Sequence, residues 1–323
     1  MFTSPKSLRA LSLPALAAAA LFGLTACGGA DSDGTTTSGS GGGSGKTKIV
    51  ASFYPMAWLA EKVGGGHVSV ETLTKPGAEP HDLELTARQV ADVQKADFAV
   101  YVKGVQPAMD DAVAKHAKDK SLDAVSVVKT LPAAPEDEHE AEGKEHEGEE
   151  LTYDPHVWLD PNRMATIATT LGDRLAAADS GHAADYKANA KALAGQLAVL
   201  DQSYSQGLNG AKGKTIVTAH AAFGYLANRY GLKQVPIAGV DPTSEPSPKR
   251  VAELTHEVRE AGATTIFTET LVSPKVAESL AREAKVKTAV LDPIEGIAEG
   301  SSDDYMSIMK KNLETLRTAL GVT

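Results

Sequence analysis

Short strand-like segments alternate with helix-like segments through most of this chain, and that alternation limits the fold more than any other feature. The strand-like segments, rich in β-branched residues, are 48–53, 68–73, 97–102, 215–218, 234–237, 264–268 and 286–291. The helix-like segments are 55–63, 86–95, 108–118, 223–230, 248–261, 274–285 and 303–320. Such alternation predicts an α/β fold with parallel sheets and right-handed crossovers. The body from 47 to 323 has about 277 residues, enough for two domains of ordinary size.

A single long helix is predicted between the two groups of strands. Apolar residues recur there on one helical face, at Tyr186, Leu193, Leu197, Leu200, Tyr204 and Leu208. From 182 to 208 such a helix would run about 40 Å at 1.5 Å per residue. It is interpreted as a spine that joins two parallel-sheet lobes, with a long surface helix as the alternative reading.

The amino-terminal residues predict export and lipid anchoring. Lys6 and Arg9 precede an almost wholly apolar run at 11–24, and Cys27, the only cysteine of the chain, follows three residues later. This pattern is typical of a bacterial lipoprotein signal with lipidation at Cys27, although an ordinary signal with a chance cysteine would look similar. Gly, Ser and Thr dominate 28–46, which indicates a flexible tether with a reach of about 25 Å.

We therefore predict five segments along the chain. They are a signal peptide at 1–26, a tether at 27–46, an N-terminal lobe at 47–162, linker helices including the spine at 163–210, and a C-terminal lobe at 211–323.

An acidic run at 136–150 interrupts the first lobe. Its nine acidic residues and one lysine give a charge of −8, most of the chain's −10. A run of this kind is expected to be a solvated loop. His139 and His146 within it could bind metal weakly, or could be there by chance. The negative net charge argues against nucleic acid as a partner.

Three histidines and one aspartate follow strand-ending turns far apart in the chain. They are His81, His156, His220 and Asp292. Parallel strands bring the residues beyond their carboxyl ends together, and three imidazoles with one carboxylate can complete a tetrahedral zinc shell. A catalytic zinc would keep one position open for water, so this set predicts a site that holds a metal without doing chemistry. Glu79 or a loop histidine is the alternative for the fourth place.

Carboxylates often orient metal-binding imidazoles by accepting the second ring N–H. Asp154, Asp160 and Glu269 are the candidates for that role here.

Enzyme motifs are absent from the sequence. The segment from His256 to Glu260 and the segment from His139 to Gly143 both fail the HExxH pattern, and no GxSxG occurs. The glycines at 207 and 213 have neither the spacing nor the position of a P-loop. We therefore predict a binding protein and not an enzyme.

Several stretches, in order and spacing, resemble one family from end to end of the body. They are Ser52-Phe53-Tyr54-Pro55, Pro76 to Asp82, Asp154 to Pro161, Tyr186 to Asn189, His220 to Tyr225, Ile266 to Glu269 and Leu291-Asp292-Pro293. The family is that of metal-binding lipoproteins that serve ABC importers of zinc and manganese, with two lobes joined by a rigid helix. The resemblance implies that His81 and His156 come from one lobe, that His220 and Asp292 come from the other, and that metal lies in the cleft between them.

The resemblance also implies a cargo, partners and a location. Zn²⁺ is the expected transported ligand, because relatives that bind manganese tend to carry a carboxylate where this chain has His220, and manganese suits oxygen-rich shells. Mn²⁺ or iron is the alternative cargo, and a surface adhesin is the alternative role. The expected partners are a membrane permease and its ATPase. We expect a monomer, anchored through Cys27 at the extracytoplasmic face of a bacterial membrane.

Overall fold

The computed structural model describes residues 45–133, 151–242 and 246–322. Over these ranges the chain forms two four-stranded sheets, each wholly parallel. The strands are β1 (Thr47–Ala51), β2 (Val68–Thr72), β3 (Phe98–Tyr101), β4 (Ser121–Asp123), β5 (Thr215–Thr218), β6 (Lys233–Pro236), β7 (Thr265–Thr268) and β8 (Lys287–Val290). The first sheet has the order β2-β1-β3-β4 and the second the order β6-β5-β7-β8. We call the parts of the molecule built on these sheets the first and second lobes.

Helices connect the strands and flank both sheets. They are α1 (Tyr54–Gly64), α2 (Ala87–Lys95), α3 (Pro107–His116), α4 (Pro161–Ala178), α5 (Ala183–Gly207), α6 (Gly224–Tyr230), α7 (Pro248–Glu260), α8 (Lys275–Ala284) and α9 (Tyr305–Leu320). Within the described ranges, no helix is both long and apolar enough to cross a membrane.

Each sheet is buried on both faces, as parallel sheets require. Ile49 and Ala51 of β1 face the large central core, whereas Val50 between them faces a smaller core. In the second sheet Ile216 and Val217 divide in the same way. This alternation follows from the two-residue period of a strand. It explains why the central strands β1, β3, β5 and β7 each carry consecutive apolar residues in the sequence.

The predicted spine is α5, a helix of 25 residues. The residues predicted to share its buried face are all buried, from Tyr186 to Leu208. It packs along α4, and Gly172 makes this contact possible, because a Cβ there would lie 2.6 Å from the Cβ of Ala190. The predicted α/β class, with two parallel sheets and a long joining helix, is confirmed.

Two elements were not predicted as separate units. β4 has only three residues, Ser-Leu-Asp, so it carries no alternating or β-branched pattern to recognise. α4 was predicted only as part of the linker helices at 163–210. It starts at Pro161, where the Asp160 side chain caps the helix by accepting from the backbone N–H groups of Asn162 and Arg163. The segment boundaries predicted at 162 and 210 remain predictions.

Candidate metal centre

Four chain segments bring side chains to one place between the carboxyl ends of the two sheets. His81 lies in the loop after β2, and His156 lies in the turn before α4. His220 follows the end of β5 by two residues, and Glu295 lies in the loop after β8. The cluster of His81, His156, His220 and Glu295 is here called the metal cluster, since its four potential ligand atoms all lie within 4.8 Å of one another.

The separations between these atoms match a compact coordination shell. Oε1 of Glu295 lies 3.1 Å from Nε2 of His220, 3.4 Å from Nε2 of His156 and 3.6 Å from Nε2 of His81. The Nε2 atoms of His156 and His220 are 3.4 Å apart. A tetrahedral shell with bonds of about 2.0–2.1 Å has edges of about 3.3–3.4 Å. Four of the six separations thus lie near these edges, and all six are within 4.8 Å, so the donor atoms can converge on one zinc-sized ion.

The cluster is shielded from water. The side chains of His156 and His220 are 0% exposed, that of Glu295 1% and that of His81 5%. Nε2 of His81 and Oε2 of Glu295 are buried without a hydrogen-bond partner. Buried polar atoms without partners are costly, and a bound cation would satisfy them. The residues present thus fit a metal ion.

Three carboxylates were predicted from the sequence to orient the histidine rings, and two of them lie against such a ring. Oδ1 of Asp154 is 2.7 Å from Nδ1 of His156, and Oε1 of Glu269 is 2.7 Å from Nδ1 of His220. With Nδ1 held by a carboxylate, Nε2 of each ring is left to face the cluster. The same carboxylate oxygens also accept the backbone N–H of His156 and of His220.

The nomination of Asp160 was wrong. Its carboxylate caps α4 and pairs with Arg163 and with Arg229, whose Nε is 3.3 Å away. The physical reason is its place directly before Pro161, where an aspartate satisfies the free N–H groups of a helix start.

The structure also corrects the fourth member of the cluster, because Glu295 and not Asp292 contributes the carboxylate. Oδ1 of Asp292 accepts the backbone N–H of Ile294 at 2.7 Å, and Oδ2 accepts the hydroxyl of Thr270 at 3.2 Å. Asp292 follows β8 by two residues, the same offset as His220 after β5, but its carboxylate caps its own loop. Gly296 follows Glu295, and a Cβ there would lie 2.8 Å from Leu271, but this close approach is visible only in the structure.

Glu79, the alternative for the fourth place, lies beside the cluster without joining it. One of its oxygens accepts the backbone N–H of His81 at 3.2 Å, and the other is buried without a partner. Burial, with a contribution from the charge of Glu295, raises the pKa of Glu79 to about 8.

The pKa values of residues in the metal cluster depend strongly on the charges of neighbouring residues. Burial lowers the pKa of His220, but the carboxylates of Glu269 and Glu295 outweigh it and hold this pKa well above its ordinary value. Burial likewise opposes a raised pKa at His156, where hydrogen bonds to Asp154 and Glu295 prevail. Burial acts to raise the pKa of Glu295, yet the three histidines hold it well below its usual range. A divalent cation would replace protons on these imidazoles.

Three nominated residues, Cys27, His139 and His146, lie outside the described residues.

Fold and metal cluster together define a class of protein, the two-lobed α/β metal-binding protein with its site between the lobes. A family profile described as ZnuA, "Zinc-uptake complex component A periplasmic", matches residues 49–319. The chain belongs to this family, which confirms the resemblance seen in its sequence. Proteins of this family are components of zinc uptake and not enzymes, as was predicted from the sequence.

Curated relatives agree with this assignment. The chain is 39% identical over 292 residues to zinc-binding protein AdcA of Streptococcus pyogenes serotype M3, covering 86% of this chain and 57% of the relative. The chain thus spans little more than half the length of that protein. It is 33% identical over 302 residues to the high-affinity zinc uptake system protein ZnuA of Bacillus subtilis, covering 92% of this chain and 93% of the relative.

Solved structures agree as well. Zn(II)-bound AdcA from Streptococcus pneumoniae has a TM-score of 0.72 at 36% identity, over 85% of this chain and 58% of that chain. The laminin-binding protein Lmb of Streptococcus agalactiae, described as bifunctional with adhesin and metal transporting activity, has a TM-score of 0.74 at 31% identity. That likeness covers 85% of this chain and 99% of the other.

Proposed function

We propose that this protein captures Zn²⁺ with high affinity through His81, His156, His220 and Glu295 and delivers it to a membrane importer. The single observation that carries the proposal is the convergence of these four donors, within 4.8 Å of one another, in a buried place. All four positions are filled by protein, so water has no place as a reacting ligand. The site is therefore suited to binding and release.

Zinc is favoured over manganese by the chemistry of the donors. Three imidazoles with one carboxylate suit zinc, whereas manganese is better served by oxygen ligands. The zinc-binding names of the curated relatives support the same choice. Copper would bind such donors more tightly than zinc by the general affinity order, so zinc selection also depends on which metals are available outside the cell.

Delivery requires partners and a location. The family's description as a zinc-uptake component supports an ABC permease with its ATPase as the partners. The lipoprotein signal ending at Cys27 supports anchoring to the extracytoplasmic face of a bacterial membrane, and one relative is named a zinc-binding lipoprotein. The protein acts as a monomer in this proposal, and His139 and His146 in the acidic run at 136–150 either bind metal weakly or are there by chance.

Metal analysis tests the proposal. The purified protein, stripped with a chelator and re-exposed to equal zinc and manganese, should retain about one zinc per chain by elemental mass spectrometry. His220→Ala should lose that zinc. Retention of manganese in place of zinc would overturn the choice of metal, and retention of neither would overturn the binding function.

Adhesion is the second candidate function, supported by the likeness to laminin-binding proteins such as Lmb. Laminin binding by the zinc-free and zinc-loaded forms on a sensor surface would test it. Binding to laminin but not to an unrelated matrix protein would support this role, and it would leave the metal function intact.

A further inference from the structure

The loop between β8 and α9 carries Glu295 into the metal cluster, and Asp292 stands at its start. We propose that Asp292 is a positioning residue: its carboxylate holds the backbone turn that presents Glu295 to the metal. This inference rests on the proposed function, because it gives a role to a residue that supports one of the proposed ligands. Asp292 itself lies outside the cluster.

The turn needs such a support because of the backbone at Ile294. Ile294 has φ of 58°, in the left-handed region. Among the described residues the other non-glycine example is Lys285, which ends α8 in the ordinary left-handed cap. For a β-branched residue away from a helix end this conformation is unfavourable, and it persists only where the surroundings impose it.

The Asp292 side chain makes one of the contacts that hold Ile294 in this conformation. Its Oδ1 accepts the N–H of Ile294 at 2.7 Å, so the side chain bridges the two residues on either side of Pro293. Glu295 follows Ile294 directly. Releasing this hydrogen bond would therefore free the backbone that aims the Glu295 carboxylate.

Asp292 is itself fixed by Asn312 of α9, which is 2% exposed. Oδ1 of Asn312 accepts the backbone N–H of Asp292 at 3.0 Å, and Nδ2 of Asn312 donates to its carbonyl at 2.7 Å. This pair of bonds ties the start of the loop to a helix. The position of the Asp292 carboxylate is thus set by packing within the second lobe.

The loop is also held from the first lobe, beyond the reach of Asp292. Nε1 of Trp158 donates to the carbonyl of Pro293 at 2.7 Å, and the N–H of Gly77 donates to the carbonyl of Ile297 at 2.9 Å. Glu295 lies between these two attachments. The bond from the Ile294 N–H to Asp292 restrains the residue between these two attachments that directly precedes Glu295.

Two substitutions at position 292 can distinguish a hydrogen-bonding role of Asp292 from metal ligation. If Asp292 acts by accepting an N–H, asparagine can replace it, because its amide oxygen accepts equally well. Alanine cannot. If Asp292 were instead a metal ligand or acted through its negative charge, asparagine would fail as alanine does.

The experiment compares Asp292→Ala, Asp292→Asn and Glu295→Gln with the wild-type chain. Zinc affinity is measured by competition with a chromophoric chelator. The visible spectrum of the Co²⁺-loaded protein reports the coordination geometry, and thermal unfolding of the metal-free protein reports folding. We expect Asp292→Ala to weaken zinc binding about 10–100-fold, the range found for residues that orient ligands. Asp292→Asn should keep near wild-type affinity and the wild-type Co²⁺ spectrum, whereas Glu295→Gln should change both.

Wild-type affinity in a folded Asp292→Ala protein would overturn the inference. So would an Asp292→Asn protein that binds as weakly as the alanine variant, or whose Co²⁺ spectrum changes as that of Glu295→Gln does. The Asp292→Asn variant still tests the inference if the Asp292→Ala variant fails to fold. A wild-type chain that binds no zinc would overturn the proposed function itself, which separates the two failures.

Discussion

Trp158 and Pro293 are joined by a hydrogen bond of 2.7 Å, from the indole Nε1 of the first to the carbonyl of the second. Trp158 lies two residues after His156, and Pro293 lies two residues before Glu295. The bond therefore couples the segments that carry two members of the metal cluster, one from each lobe. Both residues are buried, so the bond is shielded from competition by water.

Replacing Trp158 by phenylalanine should loosen this coupling. The Pro293 carbonyl would lose its partner in a buried place, at a cost of about 1–3 kcal/mol in the free energy of unfolding. Zinc affinity should fall as well, because the segments of His156 and Glu295 would no longer be tied. Chemical denaturation and zinc titration measure the two effects.

Trp58→Phe is the matched control. The indole Nε1 of Trp58 is buried without a hydrogen-bond partner, so the same substitution there removes ring volume but no bond. We expect it to lower stability and to leave zinc affinity nearly unchanged. Equal losses of zinc affinity in both variants would show that the Trp158 bond has no special role.

Gly224→Ala should weaken zinc binding through Asp154. A Cβ at Gly224 would lie 2.5 Å from Oδ2 of Asp154, too close for the carboxylate to stay where it holds the His156 ring. The expected loss of affinity is about 10–100-fold, as for other residues that orient ligands. Isothermal titration with zinc measures it.

Gly195→Ala serves as the control for that change. Gly195 lies within α5, and a Cβ there would meet nothing within 4 Å. It should stabilise the helix by about 0.5–1 kcal/mol and leave zinc affinity unchanged. A Gly224→Ala protein that binds zinc as tightly as Gly195→Ala would contradict the role assigned to Asp154.

Glu269→Ala should weaken zinc binding about 10–100-fold, since the Nδ1 of His220 would lose its carboxylate partner. Glu278→Ala, at an exposed position in the first turn of α8, controls for the loss of an acidic residue from the second lobe. Chelator competition compares the two variants. An affinity unchanged by Glu269→Ala would remove this residue from the support of His220.

Zinc affinity should rise with pH across the neutral range. In the metal-free protein the carboxylates of Glu269 and Glu295 hold the pKa of His220 above its ordinary value despite burial, and His156 is shifted the same way. Protons therefore compete with zinc from a pH above about 6.5, the ordinary histidine value, and the competition grows as pH falls. Binding should release protons at neutral pH, which calorimetry in buffers of different ionisation enthalpy would detect. An affinity that stays constant from about pH 6 to 8 would contradict this coupling.

Much of the fold could be predicted because its signals are local. The spacing of residues such as Tyr186, Leu197 and Tyr204 predicts the buried face of α5, and all three are buried. Strand β5 was predicted at its observed bounds, Thr215–Thr218, because a short β-branched run stands between glycines and a histidine turn. β4 was missed because its pairing with β3 comes from the tertiary fold and not from a pattern in three residues.

The metal cluster shows where sequence reasoning ends. The three histidines follow strand ends or turns, and the rule for parallel sheets brings them together. The carboxylate could not be chosen that way, since Asp292 and Glu295 lie in the same loop. The choice depends on the left-handed backbone of Ile294, which turns the chain between them. Packing imposes such a conformation on a β-branched residue, and the local sequence does not predict it.

The most direct test of the whole account is a crystal structure of the zinc-loaded protein, with anomalous scattering recorded on both sides of the zinc absorption edge. We expect one strong peak about 2.0–2.2 Å from His81, His156, His220 and Glu295, with Asp292 still bonded to the Ile294 N–H. A peak coordinated by Asp292 in place of Glu295, or zinc bound away from this cluster, would contradict it.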